Sequence, residues 1–197
     1  MLNSSFAKDL EHMLDCSTRE MKCTGEKILV VRLNASDTML IEDGNAVFHC
    51  LQNLPETFVG IAQKILEDSA LKTKCPCVFS TDMYSSTSIK AMERKRRGDG
   101  EKLILSSTKM KRPQDWKSFL SNDEKESQLV QVLLETWSSA ISSQVLKDRD
   151  VTLICEGRAY QLTSDGRNVA VSEIEALRST QEETNTRVIL YCACAKQ

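Results

Sequence analysis

Thr38-Met39-Leu40-Ile41-Glu42-Asp43-Gly44-Asn45 is a short apolar run that stops at two carboxylates and a glycine. A run of this kind reads as a buried strand, and the glycine permits a sharp turn that leaves the carboxylates at the strand's carboxyl end. The β-branched run Lys27-Ile28-Leu29-Val30-Val31-Arg32-Leu33 precedes it as a second strand, bounded by Asn34-Ala35-Ser36-Asp37. Downstream, Pro55 and Glu56 open a segment with Phe58, Val59, Ile61, Ala62, Ile65 and Leu66 on one helical face. Cys75-Pro76-Cys77-Val78-Phe79-Ser80 then reads as a strand that stops short of another carboxylate, Asp82. Strand, helix, strand in this order predicts a parallel pair joined by a right-handed crossover. Asp43 and Asp82 are thereby expected at one edge of one sheet.

The flanking sequence extends an α/β fold in both directions. Residues 1–26 carry a short amphipathic pattern, Phe6, Leu10, Met13 and Leu14, read as a helical appendage. Residues 84 to 120 are polar and basic with little periodicity, and a connection this long is usually functional or disordered. Ser121-Asn122-Asp123-Glu124 has capping-box spacing, and Leu129, Val130, Leu133, Leu134, Trp137 and Ile141 form the stripe of a helix expected to reach about residue 146. Val151 to Glu156 and Ala159 to Leu162 read as a hairpin, followed by a turn at Ser164-Asp165-Gly166 and a third run at Val169-Ala170-Val171. Thr180-Gln181-Glu182-Glu183 is a second capping-box pattern, leading into Val188-Ile189-Leu190-Tyr191-Cys192 as a last helix.

With 197 residues, 41% hydrophobic, and 26 basic against 28 acidic side chains, the composition is that of a globular chain able to bury a core. No apolar stretch approaches the roughly 18 residues of a membrane span, and Met1-Leu2-Asn3-Ser4-Ser5 does not open a signal peptide. The expectation is an intracellular protein with no membrane partner. The eight cysteines are widely spaced and read as reduced thiols; the pairs Cys75/Cys77 and Cys192/Cys194 lack the spacing usual at zinc sites. No phosphate-cradling glycine motif is present, so no nucleotide cofactor is expected.

Charge is concentrated in one place. Lys90 to Arg112 holds nine basic residues and three acidic ones, a local balance of +6 in a chain whose net charge is −2. Such a segment suits phosphate or nucleic acid, by charge more than by base stacking, because only Tyr84 and Trp116 flank it. The acids have a complementary chemistry. Asp43, Asp82 and the Glu182/Glu183 pair are placed at strand ends and at a helix start, where sites form in open α/β sheets. Clustered carboxylates repel unless a cation neutralises them, and hard oxygen ligands suit Mg²⁺ or Mn²⁺. Singly, each acid has an ordinary structural reading as a turn, strand-end or helix-capping residue.

The order Ile41-Glu42-Asp43-Gly44-Asn45-Ala46, Val78-Phe79-Ser80-Thr81-Asp82-Met83-Tyr84, a basic run Ser88 to Gly98, Trp116-Lys117-Ser118-Phe119-Leu120 and Glu182-Glu183-Thr184-Asn185-Thr186-Arg187 resembles the PIN/flap-endonuclease-like superfamily. It looks closest to asteroid-like and mobile-element-associated members, over roughly residues 38 to 195. The resemblance implies a PIN-like α/β domain over residues 27–197, with a central, mainly parallel sheet, surrounding helices and a basic loop at about 85–115. It implies that Asp43, Asp82 and Glu183 are catalytic acids that bind the metal. It also places Lys90, Arg94, Lys95, Arg96 and Arg97 in the segment that arches over single-stranded nucleic acid, DNA or RNA. Two departures stand out: Asn185 is neutral where the family has an acid, and the chain stops before a strand that carries further aspartates, so the domain is expected to be C-terminally incomplete.

Two functions follow. One is a metal-dependent nuclease, weak or inactive in this form. The other is a non-catalytic module, derived from a mobile element, that binds nucleic acid through the basic loop or pairs with another protein.

Overall fold

The computed structural model describes residues 17–23, 26–32, 38–72, 74–82, 107, 109–180, 187–188 and 190–192. Seven strands form one sheet in the order of the chain: β1 (Ser17–Cys23), β2 (Glu26–Arg32), β3 (Thr38–Asp43), β4 (Cys77–Ser80), β5 (Val151–Cys155), β6 (Arg158–Ser164) and β7 (Val169–Glu173). Its centre is parallel, β3 to β4 and β4 to β5, and antiparallel pairs flank it on both sides. The expected parallel pair is therefore present, while the mainly parallel character is confined to the three central strands. Residues 17–23, grouped above with a helical appendage, are an edge strand on β2. The amphipathic pattern at Phe6 to Leu14 lies outside the described residues.

The helices are α1 (Gly44–Cys50), α2 (Phe58–Lys72), α3 (Trp116–Leu120), α4 (Asp123–Trp137) and α5 (Ser143–Leu146), with a short helical segment at residues 187–192 of which Ile189 is not described. Helix α2 starts two residues later than Pro55-Glu56 suggests. Thr57 is its cap: its hydroxyl accepts from Gly60 N at 3.2 Å and its carbonyl from Ile61 N at 3.0 Å. The apolar stripe Phe58, Ile61, Ala62, Ile65 and Leu66 is buried as spaced. At α4, Asn122 supplies the cap, its Oδ1 accepting from Lys125 N at 3.3 Å.

Helix α4 ends at Trp137 instead of running to 146. Ser138 and Ser139 turn their hydroxyls onto the carbonyls of Leu134 and Thr136, at 2.5 and 2.6 Å, and this local bonding competes with continuation of the helix. A single 3-10 turn, Ala140–Ser142, follows, and Ile141, expected in the buried stripe, is 54% exposed.

Both faces of the central strands are covered. On one, α1 to α5 pack Phe48, Phe58, Trp116, Phe119, Leu133 and Trp137 onto Phe79, Val151 and Leu153. Trp137 meets Phe79 edge-on at 5.4 Å and donates its indole N–H to Ala62 O at 2.8 Å, so a large apolar side chain is buried with its polar atom satisfied. On the other face Met39, Ile41, Val78, Ile154 and Ala159 lie beneath Leu177, Val188, Tyr191 and Cys192. This alternation along each strand, Val78 one way and Phe79 the other, is what a sheet buried on both sides requires.

The β5–β6 hairpin turns on Glu156 and Gly157, with φ of 50° and 76°. Two successive positive φ values define the type I′ turn that matches strand twist, and a glycine in the second position lowers its cost. The turn is thus one residue earlier than the gap between the Val151 to Glu156 and Ala159 to Leu162 runs implies.

Candidate functional site

The polar residues of interest gather at the carboxyl edge of β3 and β4. In the parallel register Asp43 lies opposite Ser80, which puts Asp82 two residues further along the neighbouring strand's exit. Asp43 is nearly buried, and it caps α1: its Oδ1 accepts from Asn45 N at 3.1 Å and Ala46 N at 3.2 Å. A carboxylate there complements the partial positive charge of free N–H groups at a helix start. Gly44 serves the same corner through its missing side chain. A Cβ at this position would lie 2.5 Å from Phe79 Cε1 and 2.6 Å from Thr81 Cγ2, so close approach of α1 to the end of β4 requires glycine.

Asn45 joins the two strand ends. Its Oδ1 accepts from Asp82 N at 3.1 Å, and its Nδ2 donates to Glu126 Oε2 at 3.3 Å. Glu126 sits on the second turn of α4 and is 4% exposed; its other oxygen lies 3.7 Å from His49 Nε2 on exposed α1 surface. Asp43 and Asp82 are therefore held in one hydrogen-bonded unit with Asn45 at its centre.

The far side of the same edge is closed by the last helix. Arg187, 1% exposed, donates from Nη2 to the carbonyl of Thr81. Thr81 Oγ1 donates to Ile154 O at 3.2 Å, and the hydroxyls of Ser80 and Tyr191 are 3.0 Å apart. Burial raises the Tyr191 hydroxyl above its ordinary range, with the Arg187 charge and the Ser80 hydrogen bond opposing that rise. Tyr191 is accordingly a neutral hydrogen-bonding group at physiological pH. One residue back from Asp43, the fully buried Glu42 lies against Cys77, with Sγ 3.9 Å from Oε2.

Of the residues singled out in the sequence, Asp43 and Asp82 share the carboxyl edge of adjacent parallel strands. Glu183 lies outside the described residues, as do Lys90, Arg94, Lys95, Arg96 and Arg97. Among the described residues no group of three or more His, Cys, Asp or Glu side chains could hold a metal ion. The distal end of the expected basic loop is anchored, not free. Phe58 N donates to Met110 O at 3.1 Å, Arg112 N to Glu56 O at 2.8 Å, and Arg112 Nε to Pro55 O at 3.0 Å. Arg112 thus helps to fasten the chain to the start of α2. Trp116 is core: its indole N–H donates to Phe48 O at 3.0 Å and its ring stacks on Phe119 at 5.1 Å.

Three residues escaped the sequence reading. Asn45 follows the Asp43-Gly44 corner and could have been suspected there. Arg187, four residues after Glu183, closes a polar stretch just before the apolar run from Val188 to Cys192 and carried no signal of burial. Glu126 had no signal, being one of six consecutive polar residues from Asp123 to Gln128.

No protein-family model, curated protein or solved structure matches this chain. Among the described residues no helix is long and apolar enough to cross a membrane.

Proposed function

We propose that this chain is a divalent-metal-dependent phosphodiesterase of nuclease type, built on a PIN/flap-endonuclease-like domain and of low activity. The observation that carries the reading is the junction of Asp43 and Asp82 at one edge of parallel neighbouring strands, tied by Asn45. Two carboxylates so placed supply hard oxygen donors, and Glu183 would complete the set for Mg²⁺ or Mn²⁺. Such an ion, when bound, polarises a phosphoryl oxygen and lowers the pKa of a bound water. The chain's own residues do the rest: Asp43 and Asp82 supply negative charge at the carboxyl edge of the sheet, and Lys90, Arg94, Lys95, Arg96 and Arg97 hold phosphates of a single-stranded DNA or RNA. Asn185 contributes no charge, which weakens the site and accounts for the low activity expected.

The test is cleavage of labelled single-stranded and flapped DNA or RNA with Mn²⁺, comparing the chain with Asp82→Ala. Slow cleavage that disappears in the variant is expected; cleavage that persists unchanged would contradict the assignment.

A second reading is a binding module without turnover, favoured by the shortage of metal-binding groups among the described residues. Phosphate neutralisation releases counterions, so binding through the basic segment is expected to weaken steeply with salt. Replacing Arg94, Lys95, Arg96 and Arg97 together with Ala should remove most of that affinity. Binding that survives the replacement, or is flat with salt, would dispose of the basic segment's role in both readings.

A further inference from the structure

Glu126 is a carboxylate with 4% exposure, in a sequence where its neighbours could have stayed in water. Burying such a group is unfavourable unless hydrogen bonds and charge partners offset the lost hydration. Two of its contacts lead away from its own helix: Oε2 receives Asn45 Nδ2, and Oε1 faces His49. The Asn45 carboxamide is used at both ends, accepting from the Asp82 backbone and donating to Glu126. That fixes its orientation. Flipped, its oxygen would face the Glu126 carboxylate and its NH₂ would face the Asp82 N–H, and both contacts would repel.

We infer that Glu126 is a positioning residue that acts through the Asn45 carboxamide to hold the backbone at Asp82 against the Asp43 corner. Three elements distant in sequence meet in this relay: the exit of β4, the first turn of α1 and the start of α4. Without an acceptor at 126, the carboxamide loses a contact that orients it, and its bond to the Asp82 amide is weakened. The role resembles that of outer partners that orient metal ligands, and it rests on the reading of Asp43 and Asp82 as an ion site.

The experiment uses the full chain and four variants, Glu126→Leu, Glu126→Gln, Asn45→Ala and the double Asn45→Ala/Glu126→Leu, with two readouts: the backbone amide resonance of Asp82 and the affinity for Mn²⁺. Glu126→Leu removes the acceptor at similar volume. Glu126→Gln removes the charge but keeps an oxygen that can accept from Asn45. The expected result is a displaced Asp82 resonance and an Mn²⁺ affinity lower by about 10-fold or more in Glu126→Leu, with Glu126→Gln near the unaltered chain. Asn45→Ala should displace the same resonance, and the double variant should be no worse than Asn45→Ala alone.

An unmoved Asp82 resonance in Glu126→Leu would overturn the inference. So would a loss in Glu126→Gln as large as in Glu126→Leu, since Glu126 would then act by charge alone. If Glu126→Leu fails to fold, Asn45→Ala and Glu126→Gln carry the same comparison: the first must displace the Asp82 resonance and the second must not. If the unaltered chain binds no Mn²⁺, the ion-site reading falls, and the Asp82 resonance alone decides for or against the relay.

Discussion

The two faces of the central sheet are built for different purposes. The helix-packed face is aromatic and apolar, with Phe48, Phe58, Phe79, Trp116, Phe119 and Trp137 in mutual contact. The opposite face has a smaller apolar cluster and a polar margin, where Arg187 and Tyr191 of the last helix bond to Thr81 and Ser80 beside the exit of β4. Apolar burial is strong and non-directional, whereas hydrogen bonds are weaker in net terms and fix geometry. The first face should set how stable the molecule is, while the second, together with Asn45 and Glu126 of the helix face, shapes the carboxyl edge of the sheet.

Substitutions can break that contrast. The largest effect is expected for Trp137→Ala, which empties a fully buried site and leaves Ala62 O without its indole partner; about 3–5 kcal/mol should be lost in chemical denaturation. A loss below about 1 kcal/mol would show that the helix face is not the main source of stability. Gly44→Ala forces a methyl group against Phe79 and Thr81, where the two faces meet, and should cost about 1–3 kcal/mol by the same measurement. Tyr191→Phe removes the hydroxyl paired with Ser80 and is expected to cost about 1 kcal/mol, with its main consequence a local shift of amide resonances near Ser80. An effect as large as that of Trp137→Ala would erase the distinction between the faces.

The smallest effect belongs to the rim of the helix face, at the β6–β7 turn. Asp165 Oδ1 accepts from Arg167 N and Asn168 N, both at 2.7 Å, and the bonds from Asn168 and then Arg167 hold its carboxyl below the ordinary value of 3.8. A carboxyl lowered on folding stabilises the folded state above its unfolded value, and that contribution is lost as pH falls through the lowered value. Asp165→Ala should therefore flatten the acid side of the stability profile slightly and leave the rest of it in shape. A change of slope confined to neutral or alkaline pH would contradict this account.

Much of the central architecture was legible in the sequence because it rests on local signals. The Thr38 to Asp43 run, Phe58, Ile61, Ala62, Ile65 and Leu66, and the strand ending at Ser80 bury as their spacing implies, and Asp43 and Asp82 lie at one edge of the sheet as the strand-helix-strand order requires. What was not legible depends on partners elsewhere. Ser17–Cys23 has no apolar alternation and becomes a strand by backbone pairing to β2. The end of α4 was set by serine hydroxyls that bond the preceding turn. Gly44 was expected to serve a turn, yet its role is close packing, which only the positions of Phe79 and Thr81 reveal. Glu126 became part of the site because its side chain reaches Asn45 and His49 of α1, a tertiary event with no trace in a run of polar residues.

Asp43 and Asp82 are proposed to form one site for a divalent ion at the carboxyl edge of the sheet. That site is tested most directly by titrating Mn²⁺ into the unaltered chain and into Asp43→Asn and Asp82→Asn, following free Mn²⁺ by electron paramagnetic resonance. The account predicts weak saturable binding by the unaltered chain and its loss in both variants while each remains folded. Binding that survives either replacement, or no binding by the unaltered chain, would contradict it.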